Sequence, residues 1–125
     1  MSNILLVDDN VQLLEMLSIV LKGAGHDVTT AISGCDALWK TKDTVFNLVI
    51  TDIDMPNMDG IEFITILRHR MPDLIIIATT GAQAYGLQLA KGLGVAQTLS
   101  KPVSRKQLLD AINIATATAT TVSSI

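Results

Sequence analysis

Four apolar runs of this chain each end at residues that can do chemistry. Ile4-Leu5-Leu6-Val7 runs into Asp8-Asp9, and Leu48-Val49-Ile50-Thr51 into Asp52. Leu74-Ile75-Ile76-Ile77 reaches Thr80 through Ala78-Thr79, and the weaker run Val95 to Leu99 reaches Ser100-Lys101-Pro102. Gathered at one edge, these stops make three carboxylates, a hydroxyl and an amine, the set that metal-assisted phosphoryl chemistry uses. Two like charges ~4 Å apart repel by ~4 kcal/mol at an effective dielectric of ~20, so such a cluster calls for a cation. Oxygen donors without neighbouring His or Cys suit a hard ion. Mg²⁺ keeps several waters, so two carboxylates and a backbone carbonyl are enough protein ligands. In that setting Asp52 is the candidate attacking oxygen, and Lys101 and Thr80 are candidates to contact the phosphoryl oxygens.

The elements that must bring these residues together follow from the pattern. Short continuous Ile/Leu/Val runs fit parallel strands buried on both faces. Between them lie helical patterns. Leu13, Leu14, Leu17, Val20 and Leu21 form one stripe, with Gln12, Glu15, Ser18 and Lys22 on another face, and Gly23 and Gly25 end that helix. His26 to Ala31 reads as a weaker edge strand, Ser33 with Asp36 as a helix start, and Asp59 with Glu62 as the next start, stopped by Pro72. Ala82 to Lys91 is a poorer helix interrupted by Gly86. Ser104 with Gln107 is a capping box ahead of Leu108, Ala111 and Ile112. The expected fold is a doubly wound α/β domain of the flavodoxin-like (βα)5 type, with a five-stranded parallel sheet of order 2-1-3-4-5 and helices on both faces. In that order the ligand crevice lies between the first and third strands, which end at Asp8, Asp9 and Asp52.

The 125 residues fit one domain, with 49% hydrophobic content for its core. A net charge of −3 without a Lys/Arg cluster disfavours a direct nucleic-acid partner. No run approaches the roughly 18 apolar residues of a membrane span, and Met1-Ser2-Asn3 lacks the basic start of a signal peptide. The lone Cys35 suits a reducing, cytoplasmic setting. The Ala/Thr tail carries no charge and favours fraying; the expected division is a domain over residues 1–118 and a frayed or disordered tail over 119–125.

The series Leu5-Leu-Val-Asp-Asp9, Asp52-Ile-Asp-Met-Pro56-Asn-Met-Asp-Gly60, Thr80-Gly81 and Lys101-Pro102 resembles the receiver domain of two-component response regulators over nearly the whole chain. The resemblance implies that Asp52 is a phosphoacceptor served by a sensor histidine kinase or a histidine phosphotransfer protein. It implies that Asp9 ligates Mg²⁺ directly, that Asp8 helps to hold the ion, and that the Asp54 backbone carbonyl completes the site. It further implies that Thr80 is a switch hydroxyl, that Lys101 contacts the phosphoryl group, and that the Lys101-Pro102 bond is cis. Such a domain is a self-phosphorylating and self-dephosphorylating switch rather than an enzyme, and signals to a downstream protein. It is expected either as a stand-alone, chemotaxis-regulator-like domain or as a piece of a longer protein. A homodimer contact is expected, if anywhere, at the little-charged fourth helix.

Two departures stand out. The family usually has Tyr or Phe three residues before the Lys, where this chain has Thr98, and Phe after Lys-Pro, where it has Val103. The usual coupling of an inward-swinging aromatic to the switch hydroxyl is therefore not available. Asp54 adds a carboxylate beside the site.

Plainer readings stand beside these. Asp8 and Asp9 could cap the first helix, though Asn10 could do so alone; Thr80 could cap the fourth. Asp59-Gly60 reads as turn chemistry, Met55 and Met58 as packing, and Cys35 as a small buried hydrophobe. His26 and His69 read as surface residues, and Trp39 and Tyr85 carry no assigned role. Val11, Met16 and Ile19 either dock a phosphodonor or pack on the last helix. Two other functions share parts of the pattern. A haloacid-dehalogenase-like Mg²⁺-dependent phosphohydrolase has an Asp-x-Asp strand end like Asp52-Ile53-Asp54. A flavin-binding carrier has the topology, but Asp8-Asp9-Asn10 would repel its phosphate.

Overall fold

The computed structural model describes residues 2–55, 60–81 and 84–123. Strands β1 (Asn3–Val7), β2 (Asp27–Ala31), β3 (Leu48–Asp52), β4 (Ile75–Thr80) and β5 (Gln97–Ser100) alternate with helices α1 (Val11–Gly23), α2 (Gly34–Lys40), α3 (Gly60–Arg70), α4 (Ala84–Gly92) and α5 (Arg105–Ser123). The strands form one parallel sheet of order β2-β1-β3-β4-β5. Both the alternation and the strand order agree with expectation.

Successive side chains of a strand point to opposite faces, and the two faces fill separate cores. Leu5, Val7, Val49, Ile76 and Ala78 pack with Ala37 of α2, Phe63, Ile64 and Leu67 of α3, and Ala90 of α4. Ile4, Leu6, Leu48, Ile50 and Ile77 pack with Leu14, Leu17 and Leu21 of α1 and Leu108, Ala111, Ile112 and Ala115 of α5. Burial on both faces is why these strands read as unbroken apolar runs.

Side chains cap the helices where the sequence indicates. The Asn10 side chain accepts from the Leu13 N–H (3.1 Å) and Ser33 Oγ from the Asp36 N–H (3.0 Å). In the capping box, Ser104 Oγ accepts from the Gln107 N–H (3.1 Å) while Gln107 Oε1 accepts from the Ser104 N–H (3.0 Å).

Several local expectations are corrected. Strand β2 starts at Asp27 rather than His26, and β5 spans Gln97–Ser100 rather than Val95 to Leu99. Helix α4 runs through Gly86: a Cβ there would lie 2.9 Å from Ile53 Cδ1, so this glycine admits close packing instead of breaking the helix. Ser18 is buried, because it falls one turn after Leu14 and shares its stripe. Cys35 is exposed, because Gly34 and Ala37 occupy the covered side of α2. The expectations for Met58, the Asp59 helix start and Ala82 lie outside the described residues, as does that for the Tyr85 side chain.

Candidate functional site

Strand register assembles the site. Val7 pairs with Thr51, and Asp52 with Thr79. Asp8, one residue past Val7, therefore stands beside Asp52 at the ~4.8 Å spacing of neighbouring strands. The Asp8 N–H donates to the Ala31 carbonyl (3.1 Å), extending the β1–β2 ladder by one residue and leaving the carboxylate at the sheet edge. Asp8 and Asp52 are only 3% and 2% exposed, while Asp9 is open to solvent. Carboxylate oxygens of all three lie within 4.8 Å of one another.

None of these carboxylates is spent on capping α1, since Asn10 does that alone. Asp8 is instead braced by the Asn10 backbone, whose N–H donates to Asp8 Oδ1 (2.9 Å). Asp52 is braced in the same way two residues on, where the Asp54 N–H donates to Asp52 Oδ1 (3.1 Å).

Lys101 closes the cluster from the other side. Its N–H donates to the Thr80 carbonyl (2.8 Å), its peptide bond to Pro102 is cis, and its Nζ lies 2.8 Å from Asp8 Oδ2 and 3.2 Å from Asp52 Oδ2. One ammonium thus bridges two buried carboxylates, and the third stands beside them. Burial pushes the Asp52 carboxyl above its ordinary value. The Asp54 N–H and Lys101 pull it back without reversing the shift, and the Asp8 charge adds to the rise. Burial alone would lower the Lys101 ammonium, but its hydrogen bond to Asp8 and the charges of Asp52 and Asp8 outweigh that, and the net shift is upward.

Thr80 ends β4 and is buried, while the neighbouring Gly81 is exposed. The Thr80 hydroxyl donates to Asp54 Oδ2 at 2.9 Å, and the Gly81 N–H donates to the same oxygen at 2.9 Å. The proton of the hydroxyl is thus directed at a carboxylate.

Gly60 holds the strand end in place. A Cβ there would lie 2.2 Å from Ile53 Cα and 2.3 Å from the Asp52 carbonyl oxygen, so the start of α3 can press against the Asp52-Ile53 backbone only as glycine. Met55 is buried in the core with Ile53 and Phe63, in line with a packing role.

The structure thus brings Asp8, Asp9, Asp52 and Lys101 into one cluster, with Thr80 and Asp54 paired next to it. Three oxygen donors at this spacing, with no sulfur or nitrogen donor among them, fit a hard divalent cation such as Mg²⁺. His69 is exposed and lies outside the cluster. His26 Nδ1 accepts from the Ser2 N–H (3.0 Å) at the opposite end of the sheet. Thr98 pairs with Ala78, and Val103 packs against the α1/α5 core. Val11, Met16 and Ile19 are 54%, 56% and 72% exposed. The bracing by Asn10, the partners of the Asp54 side chain and the fit at Gly60 were not read from the sequence. The Asp52-x-Asp54 spacing was the one available signal, since it sets a second carboxylate just past the end of β3.

Comparison with known proteins agrees with this geometry. Residues 4–113 match the model of the response regulator receiver domain family. The transcriptional regulatory protein CpxR homolog of Haemophilus influenzae is 35% identical over 109 residues, which are 87% of this chain and 48% of that protein. The chain therefore spans about half the length of that relative. Protein PilG of Pseudomonas aeruginosa is 34% identical over 116 residues, 87% of this chain and 83% of PilG. The crystal structure of a response regulator receiver domain protein from Clostridium thermocellum superposes with a TM-score of 0.88 at 28% identity, covering 98% of this chain and 99% of that one. With its strand order, its acidic edge and these relatives in agreement, the chain belongs to the response regulator receiver domains of phosphorylation-based two-component signalling.

Proposed function

We propose that Asp52 accepts a phosphoryl group from a phosphohistidine, carried by a sensor histidine kinase or a histidine phosphotransfer protein, in a Mg²⁺-dependent reaction. The observation that carries this reading is the placement of Asp8, Asp9, Asp52 and Lys101 at one sheet edge, with Lys101 within 3.2 Å of Asp52. A carboxylate oxygen of Asp52 attacks phosphorus, the P–N bond breaks, and the imidazole keeps the electron pair and takes up a proton. The product is an acyl phosphate. Water later attacks its phosphorus, releasing inorganic phosphate and restoring the carboxylate. In this reading the domain promotes both steps on itself and turns over no separate substrate, so it is a switch and not an enzyme.

Asp8, Asp9 and Asp52, with the Asp54 backbone carbonyl, would hold the Mg²⁺. Bound there, the ion would supply positive charge against the phosphoryl oxygens. Lys101 is placed to contact one phosphoryl oxygen and Thr80 to donate its hydroxyl to another. Asn10 and the Asp54 N–H keep two carboxylates aimed while the group arrives. The exposed Val11, Met16 and Ile19 on α1, close in sequence to Asp8 and Asp9, are the docking surface we assign to the phosphodonor. Undiminished transfer from the cognate kinase to a Met16→Glu, Ile19→Glu variant would remove that assignment. No helix of the described residues is long and apolar enough to cross a membrane; we place the domain in the cytoplasm, signalling through a downstream protein.

The dehalogenase-like alternative needs the second Asp of Asp-x-Asp as a free general acid. The Asp54 carboxylate instead accepts from Thr80 and Gly81. Intact-mass measurement after incubation with acetyl phosphate and Mg²⁺ separates the readings. The expected result is one added phosphoryl group on the wild type and none on Asp52→Asn. Steady turnover of a phosphomonoester without a stable adduct would overturn the proposal.

A further inference from the structure

Among the site's carboxylates, Asp54 stands apart. It is not part of the Asp8, Asp9, Asp52 cluster, and its side chain turns toward β4. One of its oxygens, Oδ2, accepts both the Thr80 hydroxyl and the Gly81 amide, each at 2.9 Å. Its own N–H donates to Asp52 Oδ1 at 3.1 Å. Asp54 therefore joins the phosphoacceptor through its backbone and the switch hydroxyl through its side chain.

A threonine hydroxyl has one proton to donate. While that proton points at Asp54 it cannot point at a phosphoryl oxygen. Hydrogen bonds to a carboxylate are also among the shorter and stronger ones. The Gly81 N–H keeps the carboxylate oriented, so the arrangement is fixed at both ends. We propose that Asp54 is a positioning residue that latches the Thr80 hydroxyl in the unphosphorylated domain, and that a phosphoryl group on Asp52 must draw the hydroxyl off this latch to engage it. This rests on the reading of Asp52 as phosphoacceptor and deepens it. The latch sets how completely phosphorylation moves Thr80, in a chain whose Thr98 cannot provide the aromatic contact expected of its family.

The test is a double-mutant cycle on the affinity for beryllofluoride with Mg²⁺, a phosphoryl mimic, measured in the wild type, Asp54→Ala, Thr80→Val and the double variant. Removing a competitor for one charge-assisted hydrogen bond should tighten binding by about tenfold in the Thr80 background. In the Thr80→Val background there is no hydroxyl to release, so that gain should largely vanish. Asp54→Asn loses the charge but keeps an acceptor oxygen, and its affinity should stay nearer to wild type than to Asp54→Ala. A gain of equal size in both backgrounds, or Asp54→Asn matching Asp54→Ala, would show that only the negative charge matters and would overturn the latch. Should the wild type take up neither beryllofluoride nor a phosphoryl group at Asp52, the phosphoacceptor reading itself falls, and the latch with it.

Discussion

The two ends of the sheet handle charge in opposite ways. At the amino end, the Arg68 guanidinium donates to four backbone carbonyls: Leu93 (2.9 Å), Pro72 (2.7 Å), Leu74 (2.8 Å) and Gly94 (3.1 Å). It thereby ties the end of α3 to the start of β4 and to the α4–β5 turn. Nearby, Asn3 and Asn47 exchange bonds: the Asn3 N–H donates to Asn47 Oδ1 (2.7 Å) and the Asn47 N–H to the Asn3 carbonyl (2.8 Å). Each of these donors meets a carbonyl or amide oxygen. At the carboxyl end, three carboxylates crowd together, only Asp8 and Asp52 sharing the Lys101 ammonium, and the Asp52 carboxyl is pushed upward by its own burial. Local consistency fixes a fold. The end that departs from it is where the proposed cation and phosphoryl group would gain the most, because they would relieve a conflict among the carboxylates there.

The sharpest way to break this comparison is Asp52→Asn. It should abolish phosphoryl uptake altogether and yet stabilise the metal-free domain, by about 1 kcal/mol in urea unfolding, as removal of a functional-site conflict commonly does. A clear destabilisation would mean that Asp52 supports the fold as Arg68 does. Arg68→Ala is the mirror experiment. Charge-assisted bonds to carbonyls are lost from a site that water partly refills, so about 2–3 kcal/mol of stability should go while uptake of phosphoryl from acetyl phosphate persists. Loss of uptake in a folded Arg68→Ala protein would show that the two ends are not separable.

Gly60→Ala tests the boundary between them. The added methyl meets the Asp52-Ile53 backbone rather than a yielding side chain, so about 2 kcal/mol of overpacking strain is expected. Because that strain falls on the residue carrying the carboxylate, phosphoryl uptake should slow as well. A stable protein with unchanged uptake would show that the start of α3 can shift without moving Asp52.

The sequence showed the sheet well and the site's partners less well. Strands buried on both faces announce themselves as apolar runs, so β1, β3 and β4 were legible, and the strand-end residues with them. The weaker β2 and β5 were misplaced at their ends, since edge strands are less buried and their patterns fade. Ser18, Cys35 and Gly86 were misread because a small residue on a helix says little about which side it faces until the neighbouring elements are known. The Asp54–Thr80 hydrogen bond joins residues 26 positions apart, and nothing in either segment signals the other. Arg68 was unread for the same reason: its acceptors are carbonyls, which every residue has.

The smallest expected effect is also the most direct measure of the conflict. Burial raises the Asp52 carboxyl in the folded chain above its ordinary 3.8. Over the pH window between 3.8 and the raised folded value, the native state holds more protons than the unfolded one. Stability contributed by this group therefore falls as pH rises through that window. Lys101 is shifted upward from 10.5, so its contribution is complete at neutral pH and is lost only as pH climbs past 10.5 through its folded value. The stability difference between Asp52→Asn and the wild type should accordingly grow from pH 3.8 upward and then level off through neutrality, with both proteins free of metal. Saturating Mg²⁺ should reverse the sign for the wild type alone, because the ion binds the deprotonated carboxylate. A difference that stays flat across the acidic window, or a reversal that Asp52→Asn shares, would place the conflict elsewhere in the cluster, on Asp8 or Asp9 rather than on the residue proposed to react.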